Sequence, residues 1–407
     1  MSGSIRESAM KPSSKSARTL PGPPTSTSRV RTSTGDGSTP PFSPPWPSRE
    51  DRTYRSVLTH GFVVDGQGKK MAKTLGNVIA PSEIIEKYGA DVLRLWVAAS
   101  DYQEDTRLSM EIMNNLVDGY RKIRNTIRYM LSNLYDYPGG RTHAPSRDIL
   151  DRWILSVWEG TKASILEAYD QRKFAQIIQS LNHFCSLSLS AHYFDMVKDR
   201  LYADRADGET RRQTQATMAR ILEELASVLH PVLPFTTTEI LLHASGKSPD
   251  KILDASMAIL MAPFPERDPS RIDPELESQI ERLLGLRTVF GRMTDDLKKE
   301  KRIGSTLEIH LRMTGDRSRY NPGNWPDDFF ETFFIVSKFS WKDAGSMEDP
   351  AAVLATAEGP EPGTILVLHP APGIKCERCW LRKTTTGKNP EGNPVCDRCH
   401  KSLQSPV

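Results

Sequence analysis

Four of the five cysteines of the 407-residue chain lie close together near its C-terminus, in CERCWLRKTTTGKNPEGNPVCDRCH. They form two Cys-x-x-Cys pairs, Cys376 with Cys379 and Cys396 with Cys399, separated by sixteen residues rich in Gly, Pro and Asn. Two such turns present four thiolates tetrahedrally to one Zn²⁺ and leave no open coordination position. We therefore predict one structural zinc ion in a C-terminal knuckle.

Two disulfides or four free thiols are the alternatives for these cysteines. Both fit poorly with a chain that has no apolar segment resembling a secretory signal, because disulfides belong to oxidising compartments. His400 is an alternative ligand, although a His beside four cysteines is more often an outer neighbour of the metal or solvated. Cys185 is isolated in an apolar helical pattern and is interpreted as a small core residue.

A second group of reactive side chains lies in the loop GQGKKMAKTLGN. Gly66 and Gly68 follow an apolar, strand-like run, and Lys69, Lys70 and Lys73 offer ammonium groups that can meet phosphates where a strand passes into a helix. A lysine-rich turn considered alone is more often a solvated loop. Its function therefore depends on the elements around it.

The elements around these two groups are mainly helical. APSEIIEKYGADVLRLWVAAS predicts a short helix that ends at Gly89 and a second, apolar helix after it. Residues 109–134 predict a long helix with one buried stripe and a flank of basic residues. The predicted stripe consists of Ile112, Leu116, Tyr120, Ile123, Ile127 and Leu131.

Further amphipathic helices are predicted over 147–168, 172–201 and 209–230, and their short connections favour an antiparallel bundle. A charged helix over 272–302 precedes three predicted strands, LEIHLRM, FFIVSKFSW and TILVLHPA. The predicted fold class is therefore mainly α, with a small α+β unit before the cysteines. No apolar run approaches the length needed to span a membrane.

The stretch VLTHGFVVDGQGKKMAKTLGNVIAPSEIIEKYGADVLRLWVAASDYQEDTRLS resembles the signature-loop region of class I aminoacyl-tRNA synthetases, in which a KMSKS motif precedes a helical stem-contact region. The sequence of this stretch is most similar to the bacterial isoleucyl branch of that family. Six further segments resemble the same branch and occur in the same order along the chain. They are YRKIRNTIRYMLSNLYD, DRWIL, YFDMVKDRLY, HPVLPFTTTEI, KEKRIGSTLE and CERCW. The resemblance covers residues 54–407, and the paired Cys-x-x-Cys ending favours isoleucyl over valyl or leucyl enzymes.

The resemblance implies a role for each residue of Lys70-Met71-Ala72-Lys73-Thr74. In the family this loop closes over ATP, which carries Mg²⁺, so Lys70, Met71 and Lys73 are the implied ATP contacts. Lys73 is the implied catalytic residue, since the second lysine stabilises charge on the pyrophosphate as the aminoacyl adenylate forms. Thr74 keeps a hydroxyl in place of the usual serine, whereas Ala72 loses one.

The resemblance also implies the partners and the domain plan. Arg121, Arg124 and Arg128 are the implied tRNA contacts, with a solvated helix face as the alternative. The implied partners are tRNA(Ile), isoleucine and ATP, and the implied protein is a cytoplasmic monomer without a membrane segment. The implied domains are a partial Rossmann-type remnant with the KMSKS-like loop and stem-contact helices over 54–110, an antiparallel helical anticodon-binding bundle over 111–270, an α+β unit over 271–370 and the zinc knuckle over 371–407.

The family also needs an HIGH motif, an amino acid pocket and an editing domain, all upstream of the KMSKS loop, and none is found in these 407 residues. We therefore expect the C-terminal portion of an isoleucine–tRNA ligase, inactive by itself. The alternative is a non-catalytic tRNA-binding zinc protein.

Residues 1–53 differ from the rest in composition, because Ser, Thr, Pro and Arg dominate them and aliphatic residues are scarce. Residues 1–52 hold eight Lys/Arg and four Asp/Glu, so the net charge of this segment (8 − 4 = +4) exceeds the net charge of +3 for the whole chain. Codons for this segment can be chosen so that the same DNA, translated in a shifted reading frame, encodes GPDQHRGWFH and TWPADLYLEGPDQ. These strings resemble the family's catalytic domain. We expect a disordered, out-of-frame translation, and the alternative of a transit peptide is disfavoured.

Overall fold

In the computed structural model of the chain, residues 27–30, 57–139, 148–245, 260–342, 352–389 and 392–403 are described, with the single positions 146, 254 and 257. The chain divides into two compact units. The first comprises Met1–Val78 and Asp101–Leu108, and the second comprises Ile79–Ser100 and Ser109–Val407. Most of the described residues in regular secondary structure lie in helices, which confirms a mainly α chain.

Two pairs of short parallel strands form the first unit. β1 (Thr27–Val30) pairs with β2 (Val57–His60), and β3 (Val63–Asp65) pairs with β4 (Thr106–Leu108). Parallel strands need a long crossover between them, and in this sequence two helices separate β3 from β4.

Four residues of the predicted disordered segment 1–53 are described, and they form strand β1. The remainder of that segment lies outside the described residues. Its disorder and its origin in a shifted frame stay predictions.

The second unit begins with two helices separated by one glycine. They are α1 (Pro81–Tyr88) and α2 (Ala90–Ala99). Gly89 between them has φ of 91°, a conformation that glycine adopts without steric cost, and its N–H bonds to the carbonyl of Ile85. The predicted helix end at Gly89 is confirmed.

Helix α3 (Met110–Asn133) confirms the predicted long helix, but its buried stripe is rotated from the prediction. Ile123 and Ile127 are buried as expected. The other predicted stripe residues, Ile112, Leu116, Tyr120 and Leu131, are only half-buried, and the adjacent Met113, Val117 and Met130 are buried instead. The sequence has apolar residues on both neighbouring stripes, so the choice between them depends on how the other helices pack.

Five further helices follow among the described residues before residue 246. They are α4 (Ile149–Asp170), α5 (Phe174–His183), α6 (Phe194–Ala203), α7 (Glu209–Leu229) and α8 (Pro234–Ser245). The predicted single helix over 172–201 was wrong in one respect, because a π-helical segment, Phe184–Tyr193, joins α5 to α6. Cys185 in this segment is fully buried in the core, as predicted.

The charged helix predicted over 272–302 is α9 (Pro274–Lys299), and a small four-stranded sheet follows it. The remaining elements of this α+β part are β5 (Ile309–Thr314), α10 (Arg317–Tyr320), α11 (Asp327–Phe334), β6 (Lys338–Trp341), β7 (Ala355–Glu358) and β8 (Ile365–Pro370). The strand order is β6-β5-β8-β7, parallel between β5 and β6 and antiparallel elsewhere.

The predicted strand FFIVSKFSW is correct only in its second half. Phe333 and Phe334 belong to α11, which ends at Ile335 in a left-handed conformation with φ of 55°. The phenylalanines of α11 are buried, and Phe330 stacks on Phe339 of β6 with ring centroids 4.6 Å apart. Apolar side chains on successive residues suit a buried helix as well as a strand, so the sequence could not separate the two.

The C-terminal knuckle, residues 372–403, contains two short hairpins and a helix. Its elements are β9 (Ile374–Lys375), β10 (Arg382–Lys383), β11 (Gly387–Lys388), β12 (Pro394–Val395) and α12 (Asp397–Leu403). The pairs β9–β10 and β11–β12 are antiparallel. Each Cys-x-x-Cys pair therefore lies at one end of a short strand.

Candidate functional site

The four cysteines of the knuckle converge on one point. The Sγ atoms of Cys376, Cys379, Cys396 and Cys399 all lie within 4.8 Å of one another, and those of Cys379 and Cys396 are 3.7 Å apart. Four sulfurs about 2.3 Å from a tetrahedral zinc ion are about 3.8 Å from each other. The set therefore has the donor chemistry and spacing to hold one metal ion.

The sulfur distances argue against the disulfide alternative for the cysteines. A separation of 3.7 Å exceeds a disulfide bond of about 2.05 Å, and all five cysteines are free thiols. His400 is not part of the metal-competent group found among the described residues. The four-cysteine set is therefore complete without it.

Local backbone contacts shape both cysteine turns. The N–H of Cys376 bonds to the carbonyl of Leu381 at 2.9 Å, and the N–H of Trp380 returns to the carbonyl of Cys376 at 2.9 Å. Trp380 has φ of 64°, which lets the chain reverse directly after the first pair. The N–H of Cys396 donates to the sulfur of Cys376 at 3.3 Å, so the second turn supports a ligand of the first.

Hydrogen bonds set the acidity of the clustered thiols. The pKa of Cys399 is lowered to about 5, first by a hydrogen bond from Cys379 and also by one from the guanidinium of Arg378. The same Cys379–Cys399 hydrogen bond, with burial, raises the pKa of Cys379. Burial alone raises the pKa of the isolated Cys185 to about 12. Burial likewise raises the pKa of Cys396, so in the cluster without a metal ion Cys399 is the thiol whose pKa is lowered.

The lysine loop, residues 65–77, has a backbone fixed by one carboxylate. Oδ1 of Asp65 accepts from the N–H groups of Gln67 at 3.0 Å and Lys69 at 2.8 Å. Oδ2 of Asp65 accepts from the amide of Asn77 at 2.9 Å. The bond from Asn77, followed by that from the Lys69 N–H, lowers the pKa of Asp65 below its usual value.

Asn77 closes the other end of the lysine loop. Its Oδ1 accepts from the N–H of Ala72 at 2.9 Å, and its Nδ2 also donates to the carbonyl of Lys70 at 3.3 Å. Asp65 and Asn77 together hold the backbone of the loop. Sequence reasoning missed both, although each lies at the boundary between the loop and its neighbouring element.

The lysine side chains of the loop are exposed. Lys69, Lys70 and Lys73 are all solvent-exposed, whereas Met71 and Ala72 are half-buried. Lys73 begins a short 3₁₀ turn, Lys73–Leu75, that ends at Gly76. A loop whose backbone is held at both ends and whose ammonium groups are accessible can present those groups to a polyphosphate.

The three arginines predicted to contact tRNA lie in different surroundings on α3. Nη2 of Arg124 makes hydrogen bonds of 2.8 and 2.9 Å to the two carboxylate oxygens of Glu239 on α8. Arg121 pairs with Asp118 at 3.3 Å, and both side chains are about 70% exposed. Arg128 is exposed, and no described residue forms an ion pair with it. No local pattern in the sequence indicates that Arg124 has an acidic partner 115 residues away.

A second missed contact joins α2 to the start of α8. Asp91 accepts from the N–H of Thr236 at 2.7 Å and from its hydroxyl at 2.6 Å. Arg94 donates to the carbonyls of Pro231 and Val232. The motif HPVLPFTTTEI therefore acts, at least in part, as an attachment point for α2.

No helix within the described residues is long and apolar enough to cross a membrane.

Two family models match the chain. "Anticodon-binding domain of tRNA ligase" matches residues 151–313, and "tRNA synthetases class I (I, L, M and V)" matches residues 47–109. The second match contains the whole lysine loop, and the first contains helices α5 to α9 and all but the first two residues of α4.

Curated relatives match most of the chain. An isoleucine–tRNA ligase from Desulfotalea psychrophila is 39% identical over 352 residues, which are 85% of this chain and 36% of the relative. Isoleucine–tRNA ligases from Moorella thermoacetica and Geobacter sulfurreducens are 38% and 37% identical, over 85% and 86% of this chain and 37% of each relative. The chain thus spans little more than a third of the length of these relatives.

Two solved structures resemble the chain in part. An Agrobacterium radiobacter K84 LeuRS in complex with tRNA and LeuAMS is 17% identical, with a TM-score of 0.42, and the match covers 53% of this chain and 24% of that one. A Mycobacterium tuberculosis methionyl-tRNA synthetase with methionyl-adenylate is 20% identical, with a TM-score of 0.39, covering 51% and 41%.

Proposed function

Because the chain is a homologue of the isoleucine–tRNA ligases over about 85% of its own length, we propose that it forms the C-terminal part of such a ligase. That enzyme joins isoleucine to tRNA(Ile) at the expense of ATP, through an isoleucyl adenylate. The observation that carries the proposal is identity of 37 to 39% to relatives that are all isoleucine–tRNA ligases. A non-catalytic tRNA-binding protein is not favoured, because those relatives are ligases.

The proposed domain plan assigns each region a part of the reaction. Residues 54–110 form the end of the Rossmann-type catalytic domain with its stem-contact helices, and 111–270 form an antiparallel anticodon-binding bundle. Residues 271–370 form the α+β unit, and 371–407 form the zinc knuckle. The parallel pair β3–β4 and the match of the anticodon-binding family over 151–313 support this plan.

Lys73 is the proposed catalytic residue of the lysine loop, and Lys70 and Met71 are proposed to contact ATP beside it. The bound ATP, with its Mg²⁺, supplies the activated phosphate. The chain supplies a backbone held by Asp65 and Asn77, which limits the reorganisation needed when the ammonium of Lys73 meets the pyrophosphate. The exposure of Lys73 supports this role, since a buried lysine would be inaccessible to a nucleotide.

The four cysteines are proposed to hold one Zn²⁺ in a purely structural role. Four thiolates occupy every position of a tetrahedral zinc ion, so no position is left for water or substrate. The zinc ion would fix two Cys-x-x-Cys turns that have few apolar contacts of their own. Burial of Cys376, Cys396 and Cys399 supports a closed site.

Transfer RNA(Ile) is the proposed macromolecular partner, with Arg121, Arg124 and Arg128 as its contacts on α3. Arg128 and Arg121 are accessible, whereas the ion pair with Glu239 competes with a phosphate for Arg124. We expect Arg124 to contribute least to the affinity for that reason. A cytoplasmic monomer is the proposed state, because translation consumes the charged tRNA there.

The experiment that tests the function is a charging assay run beside a binding assay on the 407-residue chain. We expect binding of a tRNA(Ile) transcript without charging by isoleucine and ATP, since these residues contain only part of the relatives' length. Arg128→Ala should weaken binding a few-fold and reduce the salt dependence by about one ion, as expected for a phosphate contact.

Arg292→Ala, which removes an exposed arginine from α9, is the matched control and should leave binding unchanged. Absence of tRNA binding would overturn the proposed function. Charging of tRNA(Ile) by this chain alone would overturn the proposal that the chain holds only part of the active site.

A further inference from the structure

Each Cys-x-x-Cys pair of the knuckle carries an arginine directly before its second cysteine. These are Arg378 in CERC and Arg398 in CDRC. Neither was singled out by its sequence. Both reach out of the knuckle to the same place, the C-terminal end of helix α6.

Arg398 makes a two-pronged ion pair with α6. Its Nη1 and Nη2 lie 2.5 and 2.9 Å from the two carboxylate oxygens of Asp199, and Nη1 is 3.7 Å from Asp204. Two parallel N–H···O bonds fix the orientation of the guanidinium as well as its position. The side chains of the main pair are 40% and 35% exposed, so the contact is partly screened by water.

Arg378 connects the metal-ligating cysteines to the same helix. Its Nη1 donates to the carbonyl of Ala203, the last residue of α6, and its backbone directly precedes Cys379, one of the four clustered cysteines. The last carbonyls of a helix have no partner within the helix, and a cation near them is favourable. Arg378 thus ties the turn that contains Cys379 to the end of α6.

The charges of the two arginines match what the cysteine cluster requires when it binds zinc. Four thiolates with one Zn²⁺ carry a net charge of about −2, and the two arginines that directly precede Cys379 and Cys399 bring charge of the opposite sign to the same turns. Removing either arginine would leave negative charge on the cluster and an unpaired acceptor on α6. Metal binding and the contact with α6 therefore share the same side chains.

The opposite side of the knuckle is anchored without help from these arginines. Lys383 donates to Glu331 of α11 at 2.7 Å and to the carbonyl of Ser337 at 3.0 Å. The N–H of Arg382 donates to the Ser337 hydroxyl at 2.7 Å. The knuckle therefore contacts both α11 and α6. Its described contacts with α6 come from the Cys-x-x-Cys turns, whereas those with α11 and Ser337 come from β10.

We propose that Arg378 and Arg398 are positioning residues that couple metal binding in the knuckle to its docking on the end of α6. Each process then stabilises the other by the same factor, because coupling between two equilibria is reciprocal. Loss of the metal releases α6 from the knuckle, and loss of the α6 contact weakens metal binding. The Lys383 anchor stays in place in both cases.

The test uses Asp199→Asn in the full chain, because Asp199 lies on α6 and is not a metal ligand. Competition with a chromogenic chelator should show zinc held about three- to tenfold more weakly than in the parent chain. Asp207→Asn is the matched control, since Asp207 follows the same helix but pairs with Arg205, and it should leave zinc affinity unchanged. Arg398→Lys keeps the charge without the fork and should give an intermediate loss.

The reciprocal measurement is hydrogen exchange of the parent chain with and without zinc. Removing zinc should speed exchange at Leu201–Asp204 about tenfold and leave residues 331–337 unchanged. A zinc affinity of Asp199→Asn within twofold of the parent overturns the proposal. Unchanged exchange at the end of α6 after zinc removal overturns it as well, even if the variant folds poorly.

Discussion

The C-terminal knuckle and the lysine loop are both short, polar and rich in glycine and lysine, yet the structure organises them differently. In the knuckle the functional atoms converge on one another, with four sulfurs inside 4.8 Å. In the lysine loop the hydrogen bonds of Asp65 and Asn77 fix the backbone, and the functional ammonium groups are exposed. The cysteine sulfurs of the knuckle therefore lie close to one another, whereas the lysine side chains of the loop are exposed to solvent.

The difference matches the ligands proposed for the two regions. A metal ion needs four ligands from one chain, so the geometry of the chain alone must bring them together. A nucleotide brings its own charged groups, so the lysines need only a rigid base and access to solvent. A substitution should therefore affect the cysteine cluster when it disturbs the approach of the sulfur atoms to one another. It should affect the lysine loop when it removes a hydrogen bond that holds the backbone.

The largest expected effect is loss of metal on Cys376→Ser. Cys376 is fully buried, and its sulfur also accepts the Cys396 N–H, so the variant removes a ligand and a support of the second turn. We expect zinc affinity to fall more than about a hundredfold. Metal analysis after gel filtration measures it, with Cys185→Ala as a control that should keep one zinc per chain. Retention of zinc by Cys376→Ser would contradict the four-cysteine site.

The next effect is expected in the backbone of the lysine loop on Asn77→Ala. The substitution removes the acceptor for Ala72 and the donors to Asp65 and Lys70. Each such bond contributes about 1 kcal/mol, so amide exchange at Ala72 should quicken about tenfold or more. Exposed Asn114→Ala on α3 is the control. Exchange unchanged from the parent would show that the loop is held by other contacts.

A smaller effect is expected when the pH is lowered. The hydrogen bonds of Asp65 lower its pKa from the ordinary 3.8, so the folded loop favours the carboxylate. Such a group stabilises the fold above its unfolded pKa, and this contribution is lost as the pH falls through the folded pKa. NMR should show Asp65 titrating below 3.8, with Lys69 N–H protection lost in the same range. In Asp65→Asn this pH dependence should disappear, and a midpoint above 3.8 would contradict the account.

The smallest effect is expected on the stability of Lys73→Ala. Lys73 is exposed, and the substitution should change the free energy of unfolding by less than about 0.5 kcal/mol. Urea unfolding measures this, with Lys69→Ala beside it. A large destabilisation would assign Lys73 a structural role and weaken its proposed role at the pyrophosphate.

The sequence predicted features whose causes are local. The helix end at Gly89 depends on one residue's backbone freedom, and the cysteine cluster depends on the spacing within two turns. Features that depend on distant packing were missed or misplaced. The ion pair of Arg124 with Glu239 and the bond of Asp91 to Thr236 join residues over 100 positions apart.

Ambiguous patterns account for the remaining errors. The stripe of α3 was rotated because both Ile112 and Met113 are apolar, and neighbouring helices decide which is buried. FFIV fits a strand or a buried helix equally well, and the four-residue period of α11 emerges only with its neighbours in place. The π-helical segment after α5 has no local signal of its own in the sequence.

The most direct test of the central claim is a competition between tRNA(Ile) and tRNA(Val) transcripts for the zinc-loaded chain. The account predicts that tRNA(Ile) binds at least several-fold more tightly at the same salt concentration, and that both affinities fall as salt rises. Equal affinity for the two transcripts, or no affinity for either, would contradict the proposal that this chain is the tRNA-binding part of an isoleucine–tRNA ligase.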